Sequence, residues 1–517
     1  MAIYHFYAKN DDRVSAETST GYFLLKWPYV TNMARKKRYI VIGILAFLFL
    51  ITAPLIICYS LGWRIDFRSL NISQPGIFYF KVFPNSVQIF VNGKMKKKTD
   101  FLFGSAMIEN LSPSEYDVEL IKDGFFSWKK KLQIKKGTAT EVKNTILFPK
   151  NPQIKMVSGN IDEIFMSSNG KTIITKETDA KTKTWSLKML EPKNNLKSAL
   201  VEEKDFLSKA GLKIENVSSA EIKEVKFSEN ERTALIKMAI KEKLKAISSY
   251  YFILETDNSP PTLTLLDFLK QSVIKAEFNP ISDKKLGITY VQPKTKQNQS
   301  QVVLAEADLN LMKIIDAKIS DVLDFSSFNG NYYYLDDSGF IYKTDASFTL
   351  PNKMNSKPMD IKSGADYEIK ASSFGIAVKE DRSLYFFDIK KGEMKNLSDD
   401  IDAFSFSKNI YKMAYWGNSA GILFMDKENY QPQKMAGDEI LIADFNEKIT
   451  ELLWLNDFYV IFNIGNQIKI AETDDRDQIN IIDFASYPDP QIFWNRSDRV
   501  FYVFSSSSLY SFENLIP

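Results

Sequence analysis

A mainly β fold behind one membrane-spanning helix is predicted by three observations. Tyr39 to Leu61 form an apolar run without a charged side chain, residues 80–149 alternate apolar and polar residues with period two, and a short word recurs through residues 150–517. An uninterrupted apolar run of this length reads as a membrane span, strict alternation as half-buried strands, and a long-period repeat as an array of identical units.

A helix of 23 residues is about 34 Å long and crosses a ~30 Å hydrocarbon core. Arg35, Lys36, Lys37 and Arg38 stand directly before it. Four cations hold that end in the cytoplasm, so residues 64–517 are expected on the other side. Tyr39 at one end, and Tyr59 with Trp63 at the other, suit the headgroup belts. Pro54 kinks the span, which a membrane helix tolerates. A buried core helix would carry a polar stripe, and none is present. A cleaved signal peptide would have a shorter apolar core and a small-residue cleavage site, for which Ser60-Leu61-Gly62 is a poor candidate. Residues 1–38 read as a short cytoplasmic tail and 62–79 as a spacer. Because Met33-Ala34 before the basic cluster reads like an ordinary start, the stretch before Met33 is expected to be non-native.

Composition narrows the chemistry. With 67 basic and 64 acidic residues the net charge is +3, no field for nucleic acid. The 38 Phe and 24 Tyr suit strands. The one cysteine, Cys58, lies in the span, and the one histidine, His5, precedes it. Residues 64–517 therefore hold no Ser-His-Asp triad, no Cys-His pair, no ordinary zinc site and no disulfide. Carboxylate pairs, Ser-Lys dyads and oxygen-ligated metals remain. No phosphate-binding G-x-x-x-x-G-K-[ST] word occurs, and no cofactor is expected. The basic stretches Lys94–Lys98 and Lys241–Lys245 lack interleaved aromatics and read as solvated turns and edges.

In residues 80–149, Val87, Ile89 and Val91 alternate up to Asn92-Gly93-Lys94, a strong hairpin word. Tyr116, Val118 and Leu120 form another strand, Asp123-Gly124 a turn, and Trp128 to Leu132 and Val142 to Leu147 a last pair. Phe83-Pro84-Asn85-Ser86-Val87 leading to Val91-Asn92-Gly93-Lys94, then Ile108-Glu109-Asn110-Leu111-Ser112-Pro113 and Lys122-Asp123-Gly124-Phe125-Phe126-Ser127-Trp128, resemble a PEGA domain. That family is a small extracytoplasmic β module of bacterial and archaeal surface proteins. The sequence departs from it where Pro84-Asn85-Ser86-Val87 stands for the eponymous word, where Ser114 replaces a glycine, and where Asp100 and a few extra residues follow Thr99. The resemblance implies envelope attachment and carbohydrate or protein binding, not catalysis. Phe125, Phe126 and Trp128 are candidate ligand contacts as a sugar-stacking platform; the plainer reading puts Phe125 and Trp128 in the core of the sheet.

Pro149-Lys150-Asn151-Pro152 marks a boundary. Beyond it the repeated word is a short apolar alternation ending in Ser or Asn, then a polar turn. It occurs at Ser167, Ser228, Asn279, Ser326, Ser372 and Ser407, with degenerate copies at Leu455 and Asn495; the steps run from 35 to 61 residues and average about 47. A period of 40–50 residues with four short strands per unit describes a β-propeller, whose ring packs sheet on sheet and leaves few open edges. The words Ser168-Asn169-Gly170-Lys171 and Leu384-Tyr385-Phe386-Phe387-Asp388 resemble WD40-like and TolB-like propellers, without a Trp-Asp signature. Seven or eight blades are expected over residues 150–517, with a tandem pair of β-sandwiches as the rival. The Lys- and Glu-rich spans Thr178 to Gly211 and Ala239 to Leu269 read as long loops or short helices.

Asp336-Asp337, Asp399-Asp400 with Asp402, and Asp474-Asp475 with Asp477 lack a full calcium-loop pattern and read as turn residues. The expected function is that of a non-catalytic scaffold in the cell envelope, anchored by one span. Its propeller face would bind protein, peptide or glycan, with cell-wall glycan, a surface-layer protein or another envelope protein as partner and no nucleic acid. The alternative is an exported propeller hydrolase acting on glycans or peptides through a carboxylate pair. A sensor is a third option, against which the short N-terminal segment weighs.

Overall fold

The computed structural model describes residues 35–60, 62–66, 71–194, 196–243, 245–269, 273–293, 300–445 and 447–516. The tail expected before residue 35, and Met33 with it, lie outside the described residues. The chain divides into two compact units, 1–73 and 74–517.

In the first unit, Arg35–Ser60 is one helix with Pro54 inside it. Its span Lys37–Ser60 has mean hydropathy 2.9 and buries none of its residues. An apolar core helix of a water-soluble body would be covered, so these properties are those of a membrane span or a signal sequence. Arg64–Asp66 and Asn71–Ser73 pair antiparallel inside the stretch expected as spacer.

The second unit begins with two small sheets that share one core. In the first sheet Gly76–Phe83 lies between Ser105–Leu111 and Ala139–Ile146, parallel to the latter. The strand thus starts four residues before the expected boundary at 80. The second sheet runs Lys94–Lys98, Gln88–Val91, Glu115–Ile121, Trp128–Gln133. Phe78, Phe80, Ile89, Val118, Leu120, Trp128, Leu132 and Val142 close the space between them. Asn92 (φ 50°) and Gly93 (φ 71°) both take the left-handed region that a two-residue hairpin turn demands.

Among the described residues, 154–512 form eight four-stranded antiparallel sheets. Seven are consecutive meanders whose first strands are Glu163–Met166, Val217–Phe227, Val273–Asn279, Val322–Phe328, Tyr367–Ala371, Ile401–Phe406 and Ile449–Asn456. The eighth combines Gln491–Asn495, Val500–Ser505 and Ser508–Phe512 with Ile154–Gly159 from the start of the ring. Packing closes the circle. Each pair of neighbouring sheets shares an apolar cluster, from Ile174 with Phe252 between the first and second to Phe462 with Ala414 between the sixth and seventh. Tyr502 and Leu509 of the eighth sheet meet Ile164 and Ile173 of the first. This is the arrangement of a β-propeller, not of tandem sandwiches, because every sheet is covered on both faces by a neighbour.

The physical basis of the repeat is visible at its serines. Ser167, Ser228, Ser372 and Ser407 are buried where each first strand turns into the second. Their hydroxyls accept backbone N–H groups of Thr172 (3.1 Å), Thr233 (3.3 Å), Gly375 (3.1 Å) and Lys412 (3.1 Å). A buried turn leaves such donors without water, and a short hydroxyl side chain satisfies them.

The two Lys- and Glu-rich spans correct the expectation in part: one short helix is present, but most of both spans is strand. They hold the outer strands Trp185–Glu191 and Leu196–Glu202 with the helix Glu203–Lys209, and the strands Ile247–Glu255 and Thr262–Leu265. Of these strands only Leu196–Glu202 is largely exposed: it buries just Leu200 and Val201, whereas Ile247–Glu255 buries Tyr251 to Leu254.

Candidate functional site

The first strands lie innermost, since polar side chains tie them to one another around the ring. Lys226 Nζ donates to Ala276 O (3.0 Å), and Trp454 Nε1 to Ser405 O (3.2 Å). Lys275 Nζ reaches Asp324 Oδ1 (3.0 Å), whose other oxygen accepts Ile369 N–H (2.9 Å). Glu451 Oε2 accepts Ile492 N–H (2.8 Å). Burial pushes the Asp324 carboxyl up, against the pull of Lys275. It pushes Glu451, which has only a backbone donor, up to about 7.

Where the first four of these strands end, their turns surround a cavity of about 1280 Å³. Phe227, Phe278, Phe328 and Met166 give it apolar walls, and Ile281 stands on its rim 72% exposed. Glu229, Glu277 and Asp283 are its acids, Glu277 already paired with Lys275 (3.3 Å), and Lys226 is its one cation among the described residues. That cation is already engaged by Ala276 O and Glu224 (3.0 Å). Asp283 is steadied by Asn230 Nδ2 at 2.6 Å. An open concavity with apolar walls and surplus acid suits capture of an apolar segment bearing cations. The carboxyls that burial raises are Asp324, Asp336, Glu451 and Glu472, and none of them lines this mouth.

The candidate ligand contacts of the small domain lie elsewhere. Trp128 is buried in the small core, and its Nε1 donates to Glu472 Oε2 of the seventh ring sheet (2.7 Å). Phe126 packs against the cluster of the seventh and eighth sheets, and Phe125 sits half-buried under Lys122. Beside Trp128, Lys130 Nζ meets Glu472 Oε1 at 2.9 Å with both side chains almost wholly buried, and donates to Asp474 O and Gln478 O. Lys131 N–H donates to Asp477, Arg476 Nη1 to Glu141 O, and Ile146 N–H to the Tyr459 hydroxyl. These contacts fix the small domain onto the ring. Lys130 and Glu472 escaped the sequence reading, although a signal existed: period two places Lys130 on the face of Trp128 and Leu132.

The acidic clusters form turns and ion pairs. Asp336 accepts Ser338 and Phe340 N–H, Arg382 bridges Asp400 and Asp402, and Asp474 and Asp475 face Arg476 and Lys434. Among the described residues no group of three His, Cys, Asp or Glu side chains is placed to hold a metal.

No family model matches the chain, and no curated protein matches it. Solved structures similar to it include Saccharomyces cerevisiae Sqt1 at 10% identity, covering 71% of this chain and 98% of that one with TM-score 0.41. The WD40 domain of SCAP from fission yeast matches at 12% identity over 70% and 94% with TM-score 0.37. YCF48 from Cyanidioschyzon merolae matches at 10% over 69% and 98% with TM-score 0.35. The ring itself is established by strand pairing and packing, not by these likenesses.

Proposed function

We propose that this chain is a membrane-anchored scaffold of the cell envelope, without catalytic activity, whose ring of eight blades captures a protein or peptide segment. The helix Arg35–Ser60 is read as a retained anchor with the cationic end in the cytoplasm, which puts residues 64–517 outside it. The small domain is read as a PEGA-like module that holds the ring near the membrane.

The observation that carries the binding reading is the mouth at the first four blades. Its apolar walls, exposed Ile281 and unneutralised Glu229 favour an extended segment with alternating apolar and basic residues. Hydrolysis by a carboxylate pair is disfavoured, because the acids poised for proton transfer by burial lie outside the mouth.

The test uses the full chain in detergent with fluorescent peptides of basic-apolar and acidic-apolar sequence. The basic set should bind, and Ile281→Asp or Phe278→Ser should weaken binding about tenfold or more, at an unchanged melting temperature for the exposed Ile281. Equal binding of both sets, or indifference to both substitutions, would reject the reading.

A further inference from the structure

The loop after the basic edge strand of the small domain carries the most unusual surface in the second unit. Phe101, Leu102 and Phe103 follow one another at its tip, 79%, 72% and 72% exposed. Three consecutive large apolar side chains in water are a cost that a surface turn avoids unless something covers them.

This tip is built rather than loose. The Asp100 carboxylate accepts the N–H groups of Leu102 (3.0 Å), Phe103 (2.6 Å) and Ser105 (2.7 Å). Hydrogen bonds from the Ser105 hydroxyl and Phe103 N–H hold its pKa down at about 2, so it stays charged. Asn85 Nδ2 ties down the carbonyls of Phe101 (2.7 Å) and Leu102 (3.1 Å). Gly104 closes the loop at φ 65°, where a Cβ would lie 2.3 Å from Val82 O. The backbone is satisfied from within, and the three apolar side chains are left pointing out.

What flanks the tip is cationic. Lys94, Lys96, Lys97 and Lys98 are all exposed on the edge strand that leads into it, with Met95 between them. Lys97 Nζ bonds Met107 O (3.1 Å) on the strand that leaves the loop, where Met107 is also exposed. Glu109 is the exposed acid on that strand. A protein groove could accept the apolar tip, but the row of lysines beside it selects an extended anionic surface.

We infer that the Phe101-Leu102-Phe103 tip inserts into the interfacial layer of a bilayer containing anionic lipid, with Lys94 to Lys98 lying on the headgroups. Apolar side chains buried to the acyl boundary and lysines over anionic lipid are the two contributions that hold interfacial segments.

The single native cysteine allows a clean test. A nitroxide at Cys58 in the full chain reports the helix; a nitroxide at Leu102→Cys in a Cys58→Ser background reports the tip; one at Leu350→Cys in the same background reports the ring. In vesicles of phosphatidylcholine with phosphatidylglycerol, the label at position 102 should collide with aqueous nickel chelate roughly fivefold less often than the label at 350. Exchanging the four lysines for glutamine, or removing the phosphatidylglycerol, should return most of that access. Equal access at 102 and 350 while Cys58 is shielded would overturn the inference and leave the anchor standing, with a protein as the occupant of the tip. Shielding at 102 that ignores both lysines and lipid charge would overturn the anionic-surface part.

Discussion

At Glu451 a carboxyl is held between two inner strands with only the Ile492 N–H for company. Its ordinary value is 4.5 and burial lifts it to about 7. The folded chain therefore binds this proton more tightly than the unfolded chain. The contribution to stability is full below about pH 4.5 and is lost as pH rises through 7, by an amount on the order of 3 kcal/mol. Glu451→Gln keeps an oxygen for Ile492 and removes the titration. Denaturant unfolding should find the variant close to the parent at pH 4.5 and more stable at pH 8; parallel pH profiles would refute the assignment. Ser407 acts through hydrogen bonding alone. Ser407→Ala leaves the Lys412 N–H unsatisfied in a buried turn and should cost about 1–2 kcal/mol, read from the same titrations.

Elements show where sequence and structure part company. Six of the marked positions, Ser167, Ser228, Asn279, Ser372, Ser407 and Asn495, were legible because the residue type there is dictated by a local backbone donor; Ser326 and Leu455 lie inside their strands and satisfy none. The Asn92-Gly93 hairpin was legible for the same reason, since its dihedrals are a property of two residues. The outermost strand Leu196–Glu202 was not, because it is exposed over most of its length and so loses the apolar alternation that announces a half-buried strand. Nor was the cavity at the mouth, whose walls come from strands more than 160 residues apart. Trp128 was readable as an aromatic in a strand, but its partner Glu472 is 344 residues away. That separation hides the seam between small domain and ring. Lys130→Met should leave Glu472 charged and buried, at a cost of about 3–5 kcal/mol, whereas the double change Lys130→Met with Glu472→Leu should recover most of the loss. Thermal unfolding of the three chains decides this; an unaltered single variant would mean the pair is hydrated.

Over the whole molecule, stability depends on a closed circuit of sheet-to-sheet packing. Leu509 is fully buried where the last sheet meets the first. Leu509→Ala should cost about 2–5 kcal/mol. Proteolysis should then cut first near the junction of the two chain ends. Cutting that begins elsewhere would mean that the junction is not the weak point.

The same junction has a consequence for biosynthesis. Among the described residues the strand Ile154–Gly159 pairs only with Ser508–Phe512, so a growing polypeptide keeps one seam of the ring open until residues 508–512 have left the ribosome. Seven sheets can stack in the order they are made. The clasp, however, is the last stitch, and a messenger truncated before it would deliver an unlatched ring with two raw margins for quality control to find.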